Sequence, residues 1–313
     1  QAYDMTTFDN PATTMKDVPA SELARHSRRL VSIDMTTTLD QALQLLHKDN
    51  ILSVPVFDFW NNKWVGILTV QDILSYIAFK DFENGEVAET FDNGVKPAGN
   101  VIRDRGAQLP IAAITDSVAD VLEPLCKEVH RMLVRLPVAP GSGDDKESEL
   151  RLITQTDVLR CAVLLEDAAD WTATLEDLGL VKGGDIVTIT PEATALTGFQ
   201  RMCQHDINAV PVVSEEGKLI AVLSASDLRG LTSNLIQRVK MPVLDFLKES
   251  RRGHVRRPIT ASRNASLQEA VNKIMWGRVH RVIIVDDDQK PVGVVTSTDV
   301  IRHFYNHMQS TAN

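Results

Sequence analysis

Several features that commonly identify a protein class are scarce or missing in this sequence of 313 residues. No apolar run approaches the roughly 18 residues that suggest a membrane span, and no signal-peptide pattern occurs at the start. These absences predict a cytoplasmic protein, with the nucleus as a second expected location. Acidic residues outnumber lysine and arginine, and the net charge of −9 argues against general nucleic-acid binding, because phosphate neutralisation needs clustered cations.

Cysteine is also rare, and the common catalytic motifs are missing. Cys126, Cys161 and Cys203 lie far apart without a paired metal-ligand spacing, which favours buried thiols in a reducing compartment over disulfides. The sequence contains no Gly-x-Ser-x-Gly, no Walker loop and no His-Glu-x-x-His. We therefore expect a protein that is not an enzyme and that requires no metal.

What the sequence does contain is one short pattern in four copies. Each copy is an apolar strand that ends in Ser/Thr-x-x-Asp, and the copies are Thr69-Val70-Gln71-Asp72, Thr154-Gln155-Thr156-Asp157, Ser224-Ala225-Ser226-Asp227 and Thr296-Ser297-Thr298-Asp299. A second strand precedes each one, at Ser53-Val54-Pro55-Val56, Arg135-Leu136-Pro137-Val138, Ala209-Val210-Pro211-Val212 and Arg281-Val282-Ile283-Ile284. Four copies in register indicate a repeat, and a repeat decides the architecture.

The segments around this pattern predict the order of elements in each repeat. Leu39, Ala42 and Leu46 are apolar at helical spacing before the two strands of repeat 1, and repeat 4 has a similar set. A Thr/Ile-rich stretch, such as residues 185–190, comes before each helix. The predicted unit is therefore strand, helix, strand, strand, helix, in an α/β (α+β) fold.

The spacing of the repeats predicts the domain organisation. A repeat of about 60 residues buries too little apolar surface to be more than marginally stable alone, so we expect repeats to pair. The predicted divisions are an N-terminal tail (1–15), a first module (16–166, with repeats at 16–82 and 100–166) and a second module (167–313, with repeats at 180–240 and 241–313). Residues 83–106, 167–184 and 247–258 are predicted to be linkers.

This pattern resembles the CBS domain family, whose tandem pairs are known as Bateman modules. The four-repeat layout, with the segments Gln204–Val213, Val279–Asp286 and Leu175–Leu178, is similar to the gamma regulatory subunits of AMP-activated protein kinase. The resemblance implies two modules packed into a flat, pseudo-two-fold disk, with contacts between the helices of paired repeats and nucleotide clefts between repeats. Those subunits lack a usable Asp in the second repeat, whereas this chain keeps Asp157.

The Ser/Thr-x-x-Asp motif has two compatible interpretations. A carboxylate in the first helical turn can accept both hydroxyls of a ribose, beside free N–H groups that favour phosphate. The motif is also close to a capping box, which needs no ligand. In the first interpretation the ribose ligands are Asp72, Asp157, Asp227 and Asp299. Phosphate binding or fixing of the helix start then falls to Thr69, Thr154, Ser224 and Thr296, helped by Ser226 and Thr298.

Phosphates also require cations, and these are shared unevenly among the repeats. His280 and Arg281 lie at the start of a strand in repeat 4, where the family places phosphate-facing basic residues. Arg135 is taken as the matching residue of repeat 2. Repeat 3 offers Ile207 and Asn208, which complete the predicted binding set. The basic run 251–257 is interpreted as a cover over phosphates, a site for an acidic partner, or a solvated joint.

These features predict an adenine-nucleotide-binding (AMP, ADP or ATP) regulatory subunit that senses energy charge. Expected partners are protein kinase catalytic and scaffold subunits in a heterotrimer, or a second copy in a homodimer, with no nucleic acid and no membrane. The alternative is a non-catalytic CBS scaffold that regulates a phosphatase, a transporter or another partner without nucleotide sensing. Metal binding by His303 and His307, calcium binding by residues 286–288 and docking through Trp60 and Trp64 are weaker interpretations.

Overall fold

The computed structural model describes residues 14–24, 29–80, 96–102, 109–127, 129–136, 149–165, 169–181, 184–229, 231, 233–251 and 253–311. The sequence also predicts a polar turn at 140–149 between the two strands of repeat 2, and this turn lies almost wholly outside the described residues. Most of the 83–106 linker, Pro137, Val138 and Arg252 lie outside them as well. No helix in the part of the chain that the structure describes combines the length and the apolar character that a membrane span requires.

The first two repeats follow the predicted order of elements. A short helix, α1 (Ala20–Leu23), comes first. Repeat 1 contains β1 (Ile33–Asp34), α2 (Leu39–Lys48), β2 (Ser53–Asp58), β3 (Lys63–Thr69) and α3 (Val70–Lys80). A 3-10 turn (Ala98–Asn100) leads to repeat 2, which contains β4 (Ile111–Ala112), α4 (Val118–Lys127), β5 (Arg131–Arg135), β6 (Leu150–Thr154) and α5 (Gln155–Val163).

The last two repeats show the same order with one deviation. Repeat 3 contains α6 (Ala195–Gln204), β7 (Ala209–Val213), β8 (Leu219–Ser224) and 3-10 segments at Ala225–Leu228 and Ser233–Lys240. Its helix after the motif stops after one turn, because Arg229 has an extended backbone. Helix α7 (Val243–Ser250) then precedes repeat 4, with β9 (Thr260–Ala261), α8 (Leu267–Gly277), β10 (Arg281–Val285), β11 (Pro291–Thr296) and α9 (Ser297–Thr311).

The strands of each repeat form a small sheet with a constant register. The middle strand pairs parallel with the first strand and antiparallel with the third. In repeat 3 the first strand is reduced to a single parallel bridge between Ile189 and Val212. The motif Ser or Thr always pairs with the first residue of the middle strand: Thr69 with Ser53, Thr154 with Arg131, Ser224 with Ala209 and Thr296 with Arg281.

Helix positions follow from the apolar periodicity and from the caps. Leu39, Ala42 and Leu46 are buried, as their spacing predicts. Thr38 caps α2 in a capping box, since its side chain accepts from Gln41 N at 3.3 Å while the Gln41 side chain accepts from Thr38 N at 3.1 Å. The capped helix therefore begins at a fixed residue and presents one apolar face to the core.

Two apolar cores join repeats that are not consecutive. One core contains buried residues of repeats 1 and 3, and the other contains those of repeats 2 and 4. Helix α3 packs on α6 and on the 3-10 turn at 225–228, while α9 packs on α4 and α5. The expectation that the helices of paired repeats form the contact surfaces is therefore wrong, because these helices bury their apolar faces across the two modules.

Consecutive repeats are linked in a different way, by exchange of the segments that precede them. Residues 18–20 bond to repeat 2 (Ala20 N to Asp116 O, 2.7 Å), and residues 96–98 bond to repeat 1 (Ala98 N to Thr37 O, 2.7 Å). Residues 173–175 bond to repeat 4, and residues 241–243 bond to repeat 3. These parts of the predicted linkers are docked elements. The exchange ties repeat 1 to 2 and repeat 3 to 4, so the four repeats close into a ring.

Candidate functional site

The four motif aspartates form four similar capping interactions. In each motif the Asp Oδ2 accepts from the Ser or Thr main-chain N–H, at 2.7 Å for Asp72, 2.9 Å for Asp157 and Asp227, and 3.0 Å for Asp299. The same oxygen accepts from the Ser or Thr hydroxyl at 2.6–3.2 Å. The capping interpretation of the motif is therefore confirmed in all four repeats.

The second carboxylate oxygen is treated differently from repeat to repeat. Asp157 Oδ1 accepts from Arg160 at 3.0 Å, and Asp299 Oδ1 lies 3.6 Å from Arg302, each one helical turn further on. Asp227 instead binds Arg251, which is distant in sequence, with both of its oxygens. The aspartates of repeats 2 and 4 thus share one kind of arginine neighbour, whereas the aspartate of repeat 3 has another.

The strand register identifies the cations that lie next to these aspartates. Arg281 and Arg131 occupy the same position, because each pairs with the motif Thr of its own repeat. Arg135 pairs with Leu150 at the other end of β5, about 13 Å from Arg131 at the usual strand rise. The expectation that Arg135 is the counterpart of Arg281 is therefore wrong, and the alignment behind it is shifted by four residues.

The corrected register shows that repeats 2 and 4 carry the same basic dipeptide. His130-Arg131 matches His280-Arg281, with each Arg at the first position of the middle strand. An alignment of repeat 2 on Pro137 misses this match, because the His-Arg dipeptide and not the proline marks the start of the strand. The occurrence of two His-Arg pairs in the sequence is the signal that could have identified His130 and Arg131 as site residues.

Charged groups from all four repeats meet around these dipeptides. Arg131 interacts electrostatically with Asp72 of repeat 1 and Asp157 of its own repeat. His130 interacts with Arg281 of repeat 4 and Asp206 of repeat 3. His280 interacts with Arg131, Arg281 and Arg229, and we name these three arginines the central cations. They lie where the ring of repeats closes.

The surroundings of the central cations and of the two neighbouring histidines disfavour the charged forms. Burial among protein groups, followed by the neighbouring arginines, lowers the pKa of His280 to about 4 and also lowers that of His130, so both rings are neutral at pH 7. Burial lowers the pKa of Arg131 and of Arg281 to about 10, so both arginines keep their charge. Both histidines are exposed to solvent, and both arginines are partly buried. A solvent-exposed cluster of this kind, rich in donors and positive charge, attracts anions.

The remaining predicted site residues lie at contacts between or within repeats. Thr298 Oγ1 accepts from Gln155 Nε2 at 2.9 Å, which joins repeats 4 and 2. Ile207 O accepts from Gln71 Nε2 at 3.4 Å, which joins repeats 3 and 1. Asn208 O accepts from Ala225 N at 3.0 Å. The Ser226 hydroxyl lies 2.5 Å from the Ser224 hydroxyl. These positions surround the helix starts and connect them to the neighbouring repeats.

One buried polar atom near the same helix starts has no partner. Gln71 Oε1 is buried and accepts no hydrogen bond from the residues that the structure describes. Burying an acceptor without a partner is costly, so such an atom is expected to gain one when a ligand or water binds. Its position between repeats 1 and 3 places it beside the predicted binding residues.

The weaker interpretations do not gain support. His303 and His307 stack with ring centroids 6.3 Å apart, and no three metal-ligating side chains converge within the described ranges. Asp286 accepts from Lys290 N at 2.8 Å as part of a hairpin turn. Trp64 packs on Phe57, whereas the side chain of Trp60 is 89% exposed.

Comparisons with known proteins agree with this fold. The CBS domain family model matches residues 20–79, 181–233 and 253–306, just over half of the chain. Repeat 2 lies outside these ranges, but its order of elements and its strand register are those of the other three repeats. The solved structure of protein MJ1225 from Methanocaldococcus jannaschii has a TM-score of 0.71 and 20% identity, covering 92% of this chain and 100% of that chain.

Two curated relatives are similar over most of their length. The SNF1-related protein kinase regulatory subunit gamma-like PV42a of Arabidopsis thaliana is 26% identical, over 91% of this chain and 94% of the relative. The 5'-AMP-activated protein kinase subunit gamma of Saccharomyces cerevisiae is 25% identical, over 88% of this chain and 87% of the relative. The similarity to each relative thus extends over most of this sequence and is not confined to one repeat.

Proposed function

The chain belongs to the CBS domain family, and from that premise we propose that it is a regulatory protein that binds adenine nucleotides and changes the activity of a partner protein kinase. The observation that supports this proposal is the cluster in which the acidic helix starts Asp72 and Asp157 interact with the basic strand start Arg131, beside Arg281 and the two histidines. A nucleotide has the complementary chemistry, since its ribose offers hydroxyl donors and its phosphate carries negative charge. The regulatory ligand is AMP, ADP or ATP, and no metal is required.

The ribose is proposed to bind at the motif aspartates. Asp72, Asp157 and Asp299 lie in the first turn of a helix, where capping fixes the carboxylate with its Oδ2 toward the main chain. Oδ2 already accepts two bonds from the motif residue, so the hydroxyls of the ligand would bind at Oδ1, where a carboxylate oxygen offers about two lone-pair sites. Capping and diol binding are compatible in this arrangement.

The phosphate is proposed to lie among the central cations. Arg131 and Arg281 are partly buried, and charge-assisted hydrogen bonds from arginine to a phosphate are among the stronger polar interactions in such a setting. Burial lowers the pKa of both arginines, so their charge is unfavourable in the folded protein, and a bound anion would offset this cost. Repeats 1 and 3 have Ser53 and Ala209 at the matching strand position, so the four positions are expected to differ in affinity.

Binding at the central cations can regulate a partner because the ligand touches more than one repeat. A ligand shifts the arrangement of the repeats only by as much as its affinity differs between arrangements. The contacts Gln71–Ile207 and Gln155–Thr298 join repeats next to the helix starts, so a ligand there would bear on them directly. The names of the two kinase-subunit relatives support kinase catalytic and scaffold subunits as partners.

Calorimetric titration with AMP tests the proposal. We expect saturable binding by the wild-type chain, and a loss of 1–3 kcal/mol in Asp299→Ala, on the order of a lost charged hydrogen bond. A control, Asp245→Ala on the exposed face of α7, removes the same charge away from the central cations and should bind normally.

A second candidate function is supported by one observation. The motif carboxylates already accept hydrogen bonds from their own repeats, as a scaffold that binds no nucleotide would also show. Absence of saturable binding at millimolar AMP would favour that scaffold, which would regulate a phosphatase, a transporter or another partner.

A further inference from the structure

The aspartate of repeat 3 differs from the others in its partner. Arg251 donates from Nε to Asp227 Oδ1 at 2.8 Å and from Nη2 to Asp227 Oδ2 at 2.7 Å. Its Nη2 also donates to the Val222 carbonyl at 2.9 Å. Two parallel bonds to one carboxylate form the bidentate geometry that is favoured by arginine and that a ribose diol would itself use.

Both carboxylate oxygens of Asp227 are engaged by protein groups. Oδ2 accepts from Ser224 N at 2.9 Å, from the Ser224 hydroxyl at 3.2 Å and from Arg251 Nη2, while Oδ1 accepts from Arg251 Nε. Since each carboxylate oxygen has about two lone-pair sites, the capacity that remains at Oδ1 cannot serve both hydroxyls of a ribose while Arg251 remains in place.

The pair is also more buried than its counterparts. The side chains of Arg251 and Asp227 are 17% and 7% exposed, against 41% and 19% for Arg160 and Asp157. Arg160 supplies one bond from its own helix, so it can leave by a rotamer change in solvent. Arg251 follows the last residue of α7, and its N–H donates to Leu247 O at 3.1 Å, so the position of its side chain depends on the position of that helix.

From these contacts we infer that Arg251 acts as an internal occupant of the repeat-3 binding position, which closes that position to a nucleotide until α7 shifts. The inference rests on the proposed function, which it deepens by naming a regulatory contact at one of its sites. Helix α7 precedes repeat 4 but docks on repeat 3. A change in the relative orientation of repeats 3 and 4 would therefore move Arg251 and open the position next to Asp227.

The test counts the AMP molecules bound per chain by native mass spectrometry, together with calorimetric affinities. Arg251→Gln is expected to bind one more AMP per chain than the wild type at the same concentration. If the wild-type position is open about a tenth of the time, its apparent Kd is about tenfold above the intrinsic value, and the substitution should lower that Kd about tenfold. Asp227→Ala in the Arg251→Gln background should abolish this gain. Arg238→Gln is the matched control. It also removes an arginine that pairs with an acidic residue, but the ion pair, with Glu249 of α7, is exposed.

Two results would overturn the inference. One is unchanged AMP binding in folded Arg251→Gln, and the other is weaker binding, which would make Arg251 itself a ligand of the nucleotide. If Arg251→Gln does not fold, Arg251→Lys decides: it keeps the charge but cannot donate the same pair of bonds, so it should shift binding in the same direction by a smaller factor. No shift in folded Arg251→Lys would equally overturn the inference. Absence of AMP binding by every folded protein, wild type included, would instead overturn the proposed function.

Discussion

Replacing Arg131 by glutamine should separate ligand binding from folding stability. Arg131 lies at the start of β5 among the central cations, and burial lowers its pKa to about 10. Folding therefore places this charge in an unfavourable environment, which only the electrostatic attraction to Asp72 and Asp157 offsets in part. Glutamine keeps a polar side chain at the strand start and removes the charge.

The expected effects on binding and on stability have opposite signs. A shift of one pKa unit corresponds to 1.36 kcal/mol. After a discount for the part of Arg131 that reaches water, Arg131→Gln should raise the free energy of unfolding of the empty protein by about 1–2 kcal/mol. Loss of a charge-assisted bond to phosphate should weaken AMP binding by about 1.5–3 kcal/mol, which is roughly a 10- to 150-fold increase in Kd.

The assay pairs urea denaturation without ligand and calorimetric titration with AMP, and Arg135→Gln serves as the control. Arg135 is the same residue type at the other end of the same strand, so its replacement should leave AMP affinity unchanged. The reasoning would be refuted if Arg131→Gln bound AMP like the wild type, or if Arg135→Gln lost affinity instead. Lower stability in Arg131→Gln would contradict the conclusion that its charge is held at a cost.

Three further predictions concern folding and pH. Thr38→Ala removes the cap of α2 and should lower the free energy of unfolding by about 1 kcal/mol, measured by urea denaturation, with Thr37→Ala, just before the cap, as the control. Leu46→Ala empties a fully buried position and should cost about 2–5 kcal/mol in the same measurement; a loss below 1 kcal/mol would contradict the packing. The folded state disfavours the charged ring of His280, whose pKa of about 4 lies below the ordinary 6.5, so stability is fully present above pH 6.5 and is lost as the pH falls toward 4. Solvent at the ring reduces the size of this effect, and His280→Asn should flatten the decrease; an unchanged pH profile would contradict it.

The sequence was sufficient to predict the repeat unit and its α/β fold. Apolar spacing at Leu39, Ala42 and Leu46 and the four helix starts reflect local interactions within one repeat, and such interactions can be read from consecutive residues. The confirmed capping boxes show how strongly the motif fixes its helix. In repeat 3 the helix ends after one turn at Arg229, near Gly230, a residue that disfavours helix continuation.

Features that depend on contacts distant in sequence were not predictable in the same way. The exchange of leading segments rests on main-chain bonds such as Val243 N to Ala193 O, which leave no periodic signal. The sequence hides the register of repeat 2, because Leu133 stands at the strand position that Pro55 and Pro211 occupy in repeats 1 and 3. Pro137 is a proline at a different position. Arg251 and Asp227 are separated in sequence by all of α7, so their hydrogen bonds could not be predicted from either residue alone.

A structure determined at saturating AMP would show whether the nucleotide binds at the helix starts. We expect a ribose whose hydroxyls donate to the Asp299 or Asp157 carboxylate, with its phosphate bonded to Arg131 or Arg281. Unchanged density at all of these side chains, with each carboxylate still bonded only within its own repeat, would exclude nucleotide binding at these residues.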